Sequence, residues 1–288
     1  MSQFPPKSIL CPLDLSTASP EVLRWAGLLA ASYNARLQIL HAEWVEYPRY
    51  FLPSQAGELA AAAERTRSAI GEDLKKLVNE TISAETPYEV TILEGHPVER
   101  ILEYVEQHKP DLIVMGSHGR SGFARMRLGS VAENVVQQTS IPTLVVRAPG
   151  GKPAPRKISS VLCPVTFDEH ADQGIMISAA LASTTGAHLI VMHVEEGGPA
   201  SDGIARQLCD LVPNDVKGHC EVIEVIRHGN AAEQILLVAR EHGADIITLT
   251  AKHRRFLDVT VIGNTTEQVM RHADSAVLVL PVAGEQHE

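Results

Sequence analysis

The chain reads as an α/β protein made of two tandem, doubly wound domains, each with a five-stranded parallel sheet. Three observations lead there. The 288 residues contain an internal repeat, each copy alternates short apolar runs with helical stretches, and a Pro- and Gly-rich segment divides the copies. SILCPLD (Ser8 to Asp14) aligns with SVLCPVT (Ser160 to Thr166), and LQILHAE (Leu37 to Glu43) with LIVMHVE (Leu189 to Glu195), both at an offset of 152. Further on, GHPVERIL (Gly95 to Leu102) aligns with GNAAEQIL (Gly229 to Leu236), and PDLIVMG (Pro110 to Gly116) with ADIITLT (Ala244 to Thr250), at an offset of 134. The offset drops because the first copy carries a longer segment, Tyr47 to Pro87. Repeats of this kind mark stacked or paired copies of one structural unit.

In the first copy, strand-like runs fall at Ser8–Pro12, Leu37–His41, Tyr88–Leu93, Leu112–Gly116 and Thr143–Arg147. They are continuously apolar or β-branched more than alternating, as strands covered on both faces of a parallel sheet are. Helical stretches lie between them: Pro20–Ser32, the alanine-rich Gly57–Ser83, Pro97–Gln107 and Ser130–Gln138. Strand and helix in strict alternation favour an open parallel sheet with helices on both faces. Ligands of such sheets sit beyond the carboxyl ends of the strands, where the strand order reverses.

The linker is Ala148 to Pro155, APGGKPAP, which carries no apolar periodicity. The expected domains are therefore residues 1–147 and 156–288, joined by 148–155. Apolar residues make up 44% of the chain, and no apolar run approaches the roughly 20 residues of a membrane span. The opening MSQFPPK lacks the layout of a secretory signal, so a cytoplasmic location and no membrane partner are expected. A formal charge of −10 argues against broad nucleic-acid binding, although a local basic patch can hold a small anion. Cys11, Cys163, Cys209 and Cys220 form no Cys-x-x-Cys pair, and Cys11 and Cys163 read as buried, inert thiols. The thirteen His residues show no metal-ligand spacing, and no metal site is expected.

Chemistry concentrates in Gly116 to Ser130, GSHGRSGFARMRLGS, between an apolar run and a helix. Glycines at 116, 119 and 129 can reach positive φ and let backbone amides approach an anion. The helix opened by Ser130 would aim its amino-terminal amides at the same place, and Arg120, Arg125 and Arg127 could add charge-assisted contacts. The plain alternative is a solvated strand-to-helix loop. Neither the P-loop nor the dinucleotide fingerprint occurs in the chain.

Gly-x2-Gly-x9-Gly-Ser after LIVM (Leu112 to Met115) resembles the nucleotide-binding signature of the universal stress protein family, in its ATP-binding branch. ILCPLDLS, ILHAE, GHPVERIL and IPTLVVR follow in family order through the first half. The resemblance implies the adenine nucleotide alpha hydrolase-like fold, and pairing of the two copies through their last strands as an internal pseudo-dimer. It implies a site for ATP, with Mg²⁺ an option. Pro12 and Asp14 would face adenine and ribose, and Ala42 would give backbone contacts to adenine. Met115, Gly116, His118 and Gly119 would line the ribose and phosphate path, and Gly129, Ser130 and Val131 would hold the outer phosphates. Asp14 could instead simply cap the following helix, and His41 reads better as a satisfied core histidine than as a ligand.

In the second copy Thr166 stands at the place of Asp14, Thr250 at Gly116, His253 at Gly119 and Asn264 at Ser130, while Gly263 keeps the place of Gly129. The expectation is one nucleotide site per chain, in the first half, with Lys252 to Arg255 a solvated basic loop. No catalytic residue is assigned, because nothing near the loop supplies the metal carboxylate and orienting group of phosphoryl transfer. The expected role is a stress-response switch whose ATP occupancy biases its shape or an unidentified regulatory protein partner. A nucleotide-independent scaffold and a slow ATPase are the alternatives, and a homodimer beyond the internal pair is left open.

Overall fold

The computed structural model describes residues 4–44, 56–118, 128–148, 150–168, 171–196, 203–254 and 259–283. Gly119, Arg120, Arg125, Arg127 and Arg255 lie outside the described residues, as does part of the Tyr47 to Pro87 segment.

The first half runs β1 (Ser8–Pro12), α1 (Ser19–Tyr33), β2 (Arg36–Glu43), α2 (Ala56–Thr81), β3 (Tyr88–Glu94), α3 (Pro97–His108), β4 (Leu112–Gly116), α4 (Ser130–Gln138) and β5 (Thr143–Val146). The second repeats the plan with β6 (Ser160–Pro164), α5 (Ala171–Thr185), β7 (His188–Glu195), α6 (Ile204–Leu211), α7 (Asn214–His219), β8 (Val222–His228), α8 (Ala231–Glu241), β9 (Ile246–Arg254), β10 (Val259–Val261), α9 (Asn264–His272) and β11 (Ala276–Ala283). Where the first half spans the gap between its second and third strands with the long α2, the second uses the short pair α6 and α7.

Among the described residues the strands form one eleven-stranded sheet in the order β3-β2-β1-β4-β5-β11-β9-β6-β7-β8, with β10 alongside β9. Within each half the pairing is parallel, apart from β10. The halves join through their last strands, β5 against β11, antiparallel, with Leu144 opposite Leu278. These edges are apolar and buried, and mutual pairing satisfies backbone groups that would otherwise template aggregation. Buried side chains pack on both faces: Ile9, Leu37 and Val114 belong to one core, Leu10, Leu40 and Ile113 to the other. Alternate residues of β1 thus enter opposite cores, which explains its continuous apolar pattern.

Repeated details show which features are structural. Asp111 Oδ2 accepts from the amides of Lys7 and Ser8 at 2.9 and 3.0 Å, securing the start of β1. At the matching place Asp245 Oδ2 accepts from the amides of Ser159 and Ser160 at 2.8 and 3.2 Å, while Oδ1 contacts Lys152 from the linker. Gly95 and Gly229 turn at φ 134° and 119° before α3 and α8, a left-handed geometry that favours glycine. Their amides donate to Glu43 and Glu195 carbonyls, each at 3.0 Å.

Two expectations need correction, and one element is additional to them. The solvated loop expected at Lys252 to Arg255 is not found over its described residues: Lys252, His253 and Arg254 belong to β9, and His253 is buried. The antiparallel β10 was not anticipated. It packs on α4 of the first half, where Thr260 Oγ1 donates to the Thr139 carbonyl at 2.9 Å and meets His253 Nδ1 at 3.0 Å. Finally, Gly116 and Gly129 do not take positive φ. Gly129 sits at φ −66°, ψ 142°, and the reason for glycine at both positions is space.

Candidate functional site

In the first half the strand order reverses between β1 and β4, because β1 is followed on one side by β2 and on the other by β4. The connections leaving their carboxyl ends diverge to opposite faces and leave a crevice, the expected place for a ligand. A cavity of about 410 Å³ opens there. That volume lies in the range of small-molecule sites. Every predicted site residue that is described lines it: Pro12 and Asp14 after β1, Ala42 in β2, Met115, Gly116 and His118 at β4, and Gly129, Ser130 and Val131 at the start of α4. Gly119 and Arg120 lie outside the described residues.

One end of the cavity is shaped by the first turn of α4. Its N-cap is Gly129, which provides no side chain to satisfy the turn. The amides of Ser130, Val131 and Ala132 therefore point out of the helix without intrahelical acceptors, as the first turn of any helix does, and the positive dipole end adds to their pull on an anion. Gly129 itself contributes differently from the expectation: its amide already donates to the Ser117 carbonyl at 2.7 Å. A Cβ on Gly129 would stand 2.9 Å from that oxygen and 3.3 Å from His118 Cα, so the glycine lets the two ends of the loop touch.

Ser117, which sequence reasoning passed over, is the fastening point. It is buried, its amide donates to the Val146 carbonyl at 2.7 Å, and its hydroxyl meets His118 Nδ1 at 2.9 Å. The other ring nitrogen, His118 Nε2, is buried at the cavity wall without a hydrogen-bond partner among the described residues. An unsatisfied buried nitrogen is costly, and a polar ligand group would offset it.

Asp14 closes the turn after β1. Its Oδ1 accepts from the Ser16 amide at 3.0 Å and the Ser19 hydroxyl at 3.1 Å. The N-cap position of α1 is Ala18, so Asp14 is not itself that helix's cap. His41 is the satisfied core histidine that was expected: it is buried, and Nδ1 lies 2.7 Å from the Leu13 carbonyl. His193 repeats the bond to Val165 at 2.9 Å in the second half, so this staple holds the strand ends together whether or not the signature is present.

At the other end the lining turns apolar. Leu40, Pro97 and Ile101 form the wall below Ala42, and Trp44 stands at the rim with its ring set edge-on to His96, centroids 5.1 Å apart at 89°. Trp44, Pro97 and Ile101 were not singled out from the sequence, since one aromatic and two helix-face residues carry no local signal of a site.

The second half differs at the matching places. Thr166 turns its hydroxyl onto Asp168 at 2.8 Å, and Phe167 packs on His193 with centroids 4.3 Å apart. Where β4 of the first half ends at Gly116, β9 extends through Arg254 and pairs antiparallel with β10. The universal stress protein family model matches residues 6–147 and again 157–281.

The chain belongs to the universal stress protein family.

Among family members, one from Methanocaldococcus jannaschii is 34% identical over 143 residues, covering 50% of this chain and 83% of its own length. Another, from Bacillus subtilis, is 32% identical over 152 residues, covering 48% of this chain and 97% of its own. Both therefore correspond to a single copy of the repeat. A solved universal stress protein from Archaeoglobus fulgidus superposes over nearly the whole tandem, with a TM-score of 0.75, 96% of this chain and 98% of that one covered, and 23% identity. That likeness establishes the fold of the tandem arrangement in the family.

Proposed function

We propose that this universal stress protein binds an adenine nucleotide, ATP, in the cavity of its first half, one site per chain within residues 1–147, and that occupancy acts as a switch. The carrying observation is the 410 Å³ crevice lined both by an uncapped helix start and by the apolar side chains of Leu40, Pro97 and Ile101. A triphosphate and a flat base need those two surroundings. Ser130 and Val131 amides would take the outer phosphates, His118 Nε2 a phosphate or ribose oxygen, and Ala42 with Pro12 the base. Where Mg²⁺ accompanies ATP, phosphates and water can supply most of its ligands.

The site suits occupancy more than turnover. Its carboxylate, Asp14, already has Oδ1 committed to Ser16 and Ser19, and the other described lining residues supply amides, apolar side chains, hydroxyls and imidazoles but no second carboxylate. Binding would order the strand ends around α4, and α4 carries the Thr139 carbonyl that the second half grips through Thr260. Nucleotide at the first turn of α4 would therefore bias how the halves sit together, and through that a cytoplasmic protein partner.

Isothermal calorimetry and thermal melts with ATP test this. Binding to one site per chain is expected, with a melting temperature that rises with ATP concentration by mass action. A chain that purifies free of nucleotide and neither takes up ATP nor gains stability from it would point instead to a scaffold with a vestigial pocket.

A further inference from the structure

We infer that Trp44 is the stacking wall for the nucleobase and makes the site selective for purine nucleotides. This deepens the nucleotide reading and rests on it. Trp44 lies just past the end of β2, lines the cavity and is 56% exposed, an unusual state for the largest apolar side chain. The other tryptophan, Trp25, is fully buried in the core. Trp44 is also held in place. His96, immediately before α3, meets it in the edge-to-face arrangement that aromatic quadrupoles favour.

The position matches one end of the ligand. The α4 amides and Trp44 are both on the cavity wall, the first beside β4 and the second at the end of β2, with β1 between these strands. A nucleotide whose phosphates reach Ser130 would bring its base toward Ala42, Pro97 and Ile101, where the exposed indole offers the remaining π surface. Base stacking on an aromatic side chain is tolerant of functional groups but grows with ring area, so a bicyclic base gains more than a monocyclic one.

The test compares wild type, Trp44→Ala and Trp44→Phe by calorimetry against ATP, CTP and inorganic tripolyphosphate, with intrinsic fluorescence as a second readout. Trp44→Ala is expected to weaken ATP roughly tenfold or more, to leave tripolyphosphate unchanged, and to erase the preference of ATP over CTP. Trp44→Phe should restore most of the ATP affinity, and ATP should quench wild-type emission but not that of Trp44→Phe, whose remaining Trp25 is buried. Equal ATP affinity in wild type and Trp44→Ala would overturn the assignment, as would a parallel loss of tripolyphosphate. Wild type that binds tripolyphosphate and ignores every base would also overturn it. Wild type that binds no ATP at all would defeat the nucleotide reading itself.

Discussion

Gly116 backs directly onto Val22: a Cβ at 116 would lie 3.2 Å from Val22 Cγ2 and 3.3 Å from the His118 carbonyl oxygen. The second half holds the reverse arrangement at the matching places. There Gly174, in α5, faces Thr250, whose Cγ2 would lie 3.2 Å from a Cβ on the glycine. Each half spends about the same volume, but the first puts it on the helix and keeps the strand end bare, while the second puts it on the strand. The strand end is therefore bare in the first half and carries a threonine side chain in the second.

The pair should behave as a coupled swap. Gly116→Thr alone is expected to cost about 1–3 kcal/mol by overpacking, and Val22→Gly alone roughly 2–3 kcal/mol by cavity and helix-propensity losses. The double variant should be more stable than the sum predicts by at least about 0.5 kcal/mol, yet should no longer bind ATP. Urea denaturation of all four proteins measures the coupling, and strict additivity would refute the exchange.

Gly129 and Gly263 occupy matching helix starts but differ in their surroundings. A Cβ on Gly129 meets the Ser117 carbonyl at 2.9 Å, whereas one on Gly263 meets nothing within 4 Å among the described residues. Gly129→Ala should destabilise by about 1–3 kcal/mol through displaced backbone and lower ATP affinity. Gly263→Ala should stay within about 0.5 kcal/mol of wild type. Thermal melts and calorimetry on both variants check the contrast.

Asp245 gives stability a pH dependence. Burial would raise its pKa, but hydrogen bonds from Lys152 and from the amide and hydroxyl of Ser159 outweigh that and hold the carboxyl below its usual value. A lowered folded-state pKa contributes stability that is present above the unfolded value, about 3.9, and is lost as pH falls through the folded value. Asp245→Ala should cost about 2–3 kcal/mol at pH 7, and the gap from wild type should close as pH drops below the ordinary carboxylate range. Denaturant titrations across that range test it; a gap independent of pH would contradict the network.

Thr260 ties β10 to α4. Thr260→Val keeps the shape but leaves the Thr139 carbonyl without this donor, at an expected cost of about 1–2 kcal/mol, while Thr260→Ser should retain most of the stability. If nucleotide acts through α4, the valine variant should also show altered protection of β10 amides on ATP addition, read by hydrogen exchange.

The plan of the fold was readable because its signals are local or self-repeating. Continuous apolar runs such as LIVM, glycine at Gly95 and Gly229, and the duplicated SILCP and SVLCP pattern each carry their meaning without a partner. Leu112–Gly116 and Ser130–Gln138 form the elements expected at those residues. The candidate site was readable in part for the same reason, since Gly116, Gly129 and Ser130 stand in one short signature and Pro12 and Asp14 in a second motif, ILCPLDLS. Trp44 and Pro97 were not, because what brings them to the cavity is the stacking of α3 and the strand ends over one another; Ser117 stands inside the signature but shows its part only in its bonds to Val146 and Gly129. The basic run at Lys252 was misread as loop: its alternating pattern fits an exposed strand as well as a solvated turn, and only the β10 hairpin and α4 choose between them.

By itself the sequence determined that two like α/β units lie in tandem and that one of them retains a glycine-marked strand-to-helix loop, since periodicity and backbone chemistry act over a few residues. Tertiary structure alone decided that β5 and β11 pair antiparallel, that Val22 and Gly174 exchange volume with the strand ends opposite them, and that a degenerate loop becomes a clamp on the other half. These outcomes depend on which side chains meet across many tens of residues of chain, and packing fills that space by contact.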